Sequence, residues 1–247
     1  MNADSEVQLS LLDLQALDSA LDRLAHRRRN LPELARIDEL DAQLSGIDGE
    51  LVNVETDDRD LGRQQLKIEA DIDQVRTRVT RDQARLDNGQ VSSPKELENL
   101  QSELASLGRR QSDLEDQVLD VMERREAVQA RLGEIRLARD GVVAEQTAAE
   151  ERRDATLAEI DHEAGQASQR RKELAGGLPA ELTALYEKIR ASAGGVGAAA
   201  LHRGRCEGCH LQLNTVELNA LRAAAPEAVL RCEECRRILV RTADSGL

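Results

Sequence analysis

Aromatic side chains are all but missing: the 247 residues include no Trp, no Phe and a single tyrosine, Tyr186. Cores of globular chains this long draw much of their buried area from large rings, so one ordinary globule is excluded as the main architecture. Proline is scarce as well, at 4 residues, which leaves long stretches free of helix-breaking rings. No apolar run approaches the roughly 18 residues of a membrane span, and no early apolar segment resembles a secretory signal. A soluble, cytoplasmic chain is therefore expected. An excess of positive charge is absent too: the formal net charge is −13, which excludes a general attraction of the whole chain to nucleic acid.

What is present is Leu, Ala, Glu, Asp, Arg and Gln, the composition of long helices that bury narrow apolar stripes. With Ile37 as an a position and Leu40 as d, the heptad series to Leu86 has 15 a/d positions, of which 12 are apolar. The exceptions are Asp58, Gln65 and Asp82. A second series from Leu97 to Val142 has 14 such positions, 11 of them apolar, interrupted by Gln111, Arg125 and Arg139. Sustained 3-4 spacing of this kind is coiled-coil periodicity. After a four-residue phase shift, Leu157, Ile160, Ala164, Ala167 and Leu174 resume the stripe, as a stutter does. Leu14, Leu17, Leu21, Leu24 and Leu31 form a matching stripe before Pro32, which is expected to kink a continuous helix rather than end it.

Asn88-Gly-Gln-Val-Ser-Ser-Pro94 separates the two series. Asn-Gly stops a helix, a serine caps the next one, and proline suits its first turn. Arms of about 85 and 80 residues around a short turn predict an antiparallel hairpin roughly 120 Å long at 1.5 Å per residue. Folding back brings Asp58 towards residues 125–128 and predicts an Asp58–Arg125 contact inside the seam, which would set register. Gly176-Gly-Leu-Pro179 ends the second arm. A short helix from Glu181 to about Arg190 follows, with Leu182, Leu185, Tyr186 and Ile189 on one face.

The domain layout expected is thus a coiled-coil hairpin over 1–177 (tip near 88–95), a connector over 178–194, and a small module over 195–247. At about 50 residues the module lacks the apolar content to fold unaided. It holds all four cysteines, as Cys206-Glu-Gly-Cys209 and Cys232-Glu-Glu-Cys235. Two CxxC knuckles in a chain without a secretory segment point to a metal rather than to disulfides. Four thiolates in a tetrahedron suit one structural Zn²⁺ on Cys206, Cys209, Cys232 and Cys235, whose binding supplies folding energy. Rubredoxin-type iron shares the spacing but lacks aromatic shielding here. Haem attachment at Cys206–His210 leaves Cys232 and Cys235 unexplained, and a dithiol redox role needs one reactive pair. Ala198–Leu201, Val229–Arg231 and Ile238–Arg241 read as strands. Asn214-Thr-Val-Glu217 has capping-box spacing for a helix through Ala224. The fold class is mainly α: a long antiparallel coiled-coil hairpin followed by a zinc ribbon of β-hairpins with a short helical insertion.

Two surfaces are candidates for partners. Arg203, Arg205, Arg231, Arg236, Arg237 and Arg241 cluster near the knuckles and could form a phosphate-binding face. Over 194–247, however, seven arginines oppose six acids, a four-thiolate zinc adds about −2, and no aromatic is there to stack on bases. The hairpin tip, with Ser93, Lys95, Glu96 and Leu97, is the second candidate, for a protein.

At these residues the chain resembles a bacterial family with an N-terminal coiled-coil hairpin and a C-terminal four-cysteine zinc ribbon. The resemblance lies in the tip Ser93-Pro-Lys-Glu-Leu-Glu-Asn-Leu-Gln101, the connector Leu178-Pro-Ala-Glu-Leu with Tyr186-Glu-Lys-Ile189, and the knuckles. There the family pattern of CxGC followed by CxxCxRIL is matched through Leu239. Arg236 stands where a knuckle glycine is common. The resemblance implies zinc on the four cysteines and non-enzymatic work: members related to flagellar and secretion systems act as adaptors or chaperones that contact RNA, a sigma factor or secretion components.

No glycine-rich phosphate loop, open metal site or nucleophile–base set is recognisable, so an enzyme is not expected. Two readings stay open. In one, the ribbon binds RNA or DNA and the coiled coil recruits protein; in the other, the whole chain is a protein scaffold or chaperone with a structural zinc. Neither involves a membrane or a small-molecule substrate, and Arg125 and Arg139 at a positions favour a monomer or weak dimer.

Overall fold

A computed structural model describes residues 1–247. Its elements are α1 (Ser5–Arg29), α2 (Pro32–Asp87), α3 (Pro94–Gly176), α4 (Ala180–Ser192), β1 (Ala198–His202), β2 (Arg205–Cys206), α5 (Thr215–Ala223), β3 (Leu230–Arg231) and β4 (Ile238–Arg241). They pack as two units: Met1–Leu34 with Glu150–Leu247, and Ala35–Ala149. No helix is long and apolar enough to cross a membrane.

The unit Ala35–Ala149 is the hairpin that the heptads predict. Leu61, Ile68, Ile72, Leu114 and Val121 fill its central seam, and Ile37, Leu40 and Ala149 form a second cluster. Each step forward on α2 meets a step back on α3: Arg36 pairs with Glu145 (2.7 Å), Arg139 with Asp48 (2.6 Å), Arg131 with Glu50 (2.6 Å) and Arg76 with Glu115 (2.8 Å). Exposed pairs such as these contribute little energy each, but all of them mark the same antiparallel pairing. The strongest register mark lies inside the seam. Arg125 Nε donates to Asp58 Oδ1 (3.1 Å), its Nη1 donates to Gln65 (3.2 Å), and Gln129 also donates to Asp58 (3.0 Å). The interruptions of the heptad pattern at Asp58, Gln65 and Arg125 are therefore partners.

The other unit joins the first helix to the C-terminal sheet. Leu11 and Leu14 of α1, Leu182, Tyr186 and Ile189 of α4, and Ala198, Ile238 and Val240 of the sheet share one core. The ribbon's inner face thus obtains its apolar cover from both ends of the sequence. Before α1, Ala3 N donates to Glu227 O (2.7 Å) and Val229 N donates to Met1 O (3.2 Å). Residues of the 195–247 segment thus share a core with α1 and α4.

Pro32 does not kink a continuous helix. α1 stops at Arg29, Asn30 caps it by donating its side-chain amide to His26 O (2.8 Å), and α2 starts at Pro32. Proline is suited to a first helical position and would clash with the carbonyl four residues earlier inside a helix. The basic run His26–Arg29 fills the last turn of α1, where cations suit the helix dipole.

Candidate metal centre

The four-stranded sheet has the order β2-β1-β4-β3, with β1 and β4 parallel and the two outer pairs antiparallel. Cys206 ends β2, and the knuckle Cys232–Cys235 joins β3 to β4. The two turns are built alike. Cys206 O accepts from His210 N (2.8 Å), and Cys232 O accepts from Arg236 N (2.9 Å). His210 and Arg236 both adopt positive φ, 59° and 64°, the conformation that glycine adopts most easily. The departure from glycine at Arg236 is thus accommodated with some strain.

Within the first knuckle, Gly208 permits close packing. A Cβ there would lie 2.7 Å from Arg237 Cδ and 3.0 Å from Ala199 Cβ. The α5 insertion starts as its sequence predicts: Asn214 accepts from Glu217 N (2.9 Å), and the Glu217 carboxylate accepts from Asn214 N (3.0 Å).

All four sulfurs lie within 4.8 Å of one another; Cys206 and Cys235 are 3.8 Å apart, Cys209 and Cys232 3.9 Å. A tetrahedron with Zn–S of about 2.3 Å has edges of about 3.8 Å, so the cage fits zinc in both donor type and size. Burial pushes the Cys206 thiol up to about 12, against hydrogen bonds from the Cys209 and Gly208 amides. Burial likewise raises Cys232. Burial also opposes ionisation of Cys235, but the Arg237 amide, neighbouring thiols and the Arg237 guanidinium outweigh it and lower that thiol. A divalent cation offsets the cost of holding four thiolates in such a place. Cys206, Cys209, Cys232 and Cys235 therefore hold one structural Zn²⁺, and four protein ligands complete its tetrahedral shell. His210 stands outside the cage, exposed, 3.9 Å from Glu207.

The arginines near the knuckles divide into two groups. Arg237 donates to the carbonyls of Val196 (3.1 Å), Gly208 (2.9 Å) and Ala193 (2.6 Å). Arg241 donates to those of Ala224 (3.1 Å), Ala225 (2.6 Å) and Pro226 (2.8 Å), satisfying groups left open where α5 ends. Arg231 Nε donates to Arg236 O (2.8 Å). These three guanidinium groups hold backbone carbonyls, Arg231 through Nε alone. Arg203, Arg205 and Arg236 are exposed, and their side chains have no intramolecular hydrogen bond or ion pair.

At the tip, Ser93 Oγ accepts from Glu96 N (3.2 Å), and the Glu96 carboxylate accepts from Ser92 N (3.0 Å) and faces Arg85 (3.4 Å). These two residues shape the turn. Lys95 and Leu97 are exposed.

Sequence reasoning missed a polar hub formed by Gln15, Asp18, Arg171 and Tyr186. Asp18 is 1% exposed; it accepts from Arg171 Nε (2.6 Å) and from the Tyr186 hydroxyl (2.7 Å). Gln15 Oε1 accepts from Gly197 N (2.7 Å), and Gln15 Nε2 donates to Gly195 O (3.0 Å). Burial, then the Asp18 carboxylate, push the Tyr186 hydroxyl well above its ordinary value. The only advance signal was polarity at helical positions beside a leucine stripe.

Comparison with known proteins agrees with this architecture. Residues 14–194 match the CT398-like coiled coil hairpin domain, and residues 205–239 match the C4-type zinc ribbon domain. The uncharacterized protein Rv2229c of Mycobacterium tuberculosis is 40% identical over 98% of both chains. A solved structure from Mycobacterium smegmatis, also 40% identical, superposes with a TM-score of 0.87 over 98% of this chain and 100% of that one. The structure of CT398 from Chlamydia trachomatis, at 20% identity and a TM-score of 0.67 over 96% and 98%, shares the fold. With its helical seam matched over most of its length and four thiolates closing a ribbon behind it, the chain belongs to the CT398-like coiled coil hairpin family.

Proposed function

We propose that this is a non-enzymatic binding protein: the hairpin is its protein-contacting element, and the zinc ribbon is a structural element that orders the C-terminal sheet. The observation that carries the reading is the closed four-sulfur cage, which gives zinc a folding role instead of an open position for substrate. The ion-paired seam supports it, since a fixed register presents one constant surface along each helix. The tip contributes Lys95 and Leu97 as contacts, with Ser93 and Glu96 shaping the turn beneath them. The working form is a monomer or weak dimer in the cytoplasm. Co-purification with the full-length native chain tests the reading. Specific protein partners should be captured and should be lost or reduced with Lys95→Glu or Leu97→Ser; capture of no protein at all overturns it.

A second reading has its own observation. Arg203, Arg205 and Arg236 are exposed without internal partners, so the ribbon offers three cations to a phosphate backbone. Affinity for labelled RNA or DNA would then fall with log[salt] at a slope of up to about −2 to −3, one increment per phosphate neutralised. A flat or absent response removes nucleic acid from the account.

A further inference from the structure

We propose that the face of the hairpin around Gly62 is a docking groove for an acidic amphipathic helix of a protein partner. This rests on the reading of the hairpin as a protein-binding element and locates a contact on it away from the tip.

Gly62 lies in the interior of α2, where glycine costs about 1 kcal/mol relative to alanine. A Cβ at this position would meet Arg125 Cζ at 3.3 Å and Nη2 at 3.4 Å. Its absence lets the guanidinium lie across α2, braced between Asp58 and Gln65 on either side of the gap. Nε and Nη1 are occupied by those acceptors, whereas Nη2 makes no hydrogen bond. Arg125 is thus a pre-oriented fork, still 35% exposed, with one nitrogen unclaimed.

The groove in front of it holds about 500 Å³. Its lining sets four arginines (Arg59, Arg63, Arg125 and Arg136) against two acids, Glu55 and Asp58, within a chain of net charge −13. Arg136 pairs with Glu55 and Arg63 with Asp60, whereas Arg59 is exposed and has no partner. Beside these cations, Leu66 is 67% exposed, and Leu132 also lines the groove. Arg59, the one unpaired cation there, together with the partly exposed Arg125 and an exposed leucine between two antiparallel helices, matches a third helix that carries carboxylates next to an apolar stripe. Carboxylate is the natural complement of an oriented guanidinium. A nucleic-acid strand fits less well, because acids share the groove and the lone aromatic of the chain lies elsewhere, at Tyr186.

The test uses the full-length chain and a synthetic three-heptad helix with a leucine stripe flanked by glutamates, followed by fluorescence anisotropy. Its lysine counterpart and a labelled RNA oligonucleotide serve as controls. The glutamate helix should bind the native chain, more weakly as salt rises, and Arg59→Glu should weaken it at least tenfold without moving the thermal midpoint. Gly62→Ala, whose methyl makes the Arg125 guanidinium give by a few tenths of an ångström, should weaken it less than Arg59→Glu does. Equal affinity for the native chain and Arg59→Glu, equal binding of the lysine helix, or displacement by the RNA at comparable concentration each overturns the proposal. In the co-purification, partners kept by Arg59→Glu but lost by the tip variants would overturn the groove while leaving the protein-binding reading intact.

Discussion

The hydroxyl of Tyr186 donates to Asp18 Oδ2 at 2.7 Å, tying the chain's one aromatic ring to an acid 168 positions earlier. The same carboxylate accepts from Arg171, so a single buried acid links α1, α3 and α4. Tyr186→Phe should destabilise this unit by about 1–2 kcal/mol, the cost of removing a buried donor. Asp18→Ala removes the buried acceptor that Arg171 and Tyr186 share, leaving them Glu187 and Gln15, and should cost more, about 2–4 kcal/mol. Urea unfolding followed by circular dichroism measures both. Tyrosine fluorescence also reports on this junction alone, since no other Tyr or Trp contributes.

In the hairpin, Asp58 and Arg125 should be energetically coupled. A double-mutant cycle is expected to give about 0.5–1 kcal/mol, modest because both side chains keep some solvent. The Arg125 guanidinium, followed by the Gln129 amide, holds the Asp58 carboxyl below its ordinary range. Its stabilising effect is therefore complete above the unfolded carboxylate value of about 3.9 and is lost as pH falls through the lower folded value. Thermal midpoints measured against pH should fall less steeply on the acid side for Asp58→Asn than for the native chain.

Gly208→Ala should loosen the first knuckle, because the added methyl meets Arg237 Cδ and Ala199 Cβ at 3.0 Å or less. The expected cost is about 1–3 kcal/mol. Zinc release to a chromogenic chelator should be faster than from the native chain, and an unchanged rate would mean that the knuckle has slack.

The ribbon arginines should separate by role. Arg237→Ala and Arg241→Ala each leave backbone carbonyls without a donor and should lower stability by about 1–3 kcal/mol. Arg203→Ala and Arg205→Ala, whose side chains have no intramolecular partner, should change it by less than about 0.5 kcal/mol. Thermal melts of the four variants check the division.

Legibility in the sequence followed the range of the interactions. Periodicity marked α2 and α3, and CxxC spacing marked the cage, because each pattern repeats a local geometry. Asn214 and Glu217 announced α5 for the same reason. Even the Asp58–Arg125 contact was readable, since equal arms about one turn fix which positions face each other. Pro32 was ambiguous because a kink and a break begin from the same missing N–H; Asn30, donating to His26, marks the break. The hub stayed hidden: Gln15 and Asp18 look like solvated helix positions until residues some 150–180 positions away fold against them. Arg237 and Arg241 looked like a basic patch because sequence gives charge but not the carbonyls that the charge faces.

Elemental analysis of the natively purified full-length chain is the most direct measurement of the four-thiolate centre. One zinc per chain is expected, with none retained once Cys206 and Cys232 are both replaced by serine. Absence of stoichiometric zinc from the native protein, or full retention in that double variant, would contradict the assignment on which the folded C-terminal sheet depends.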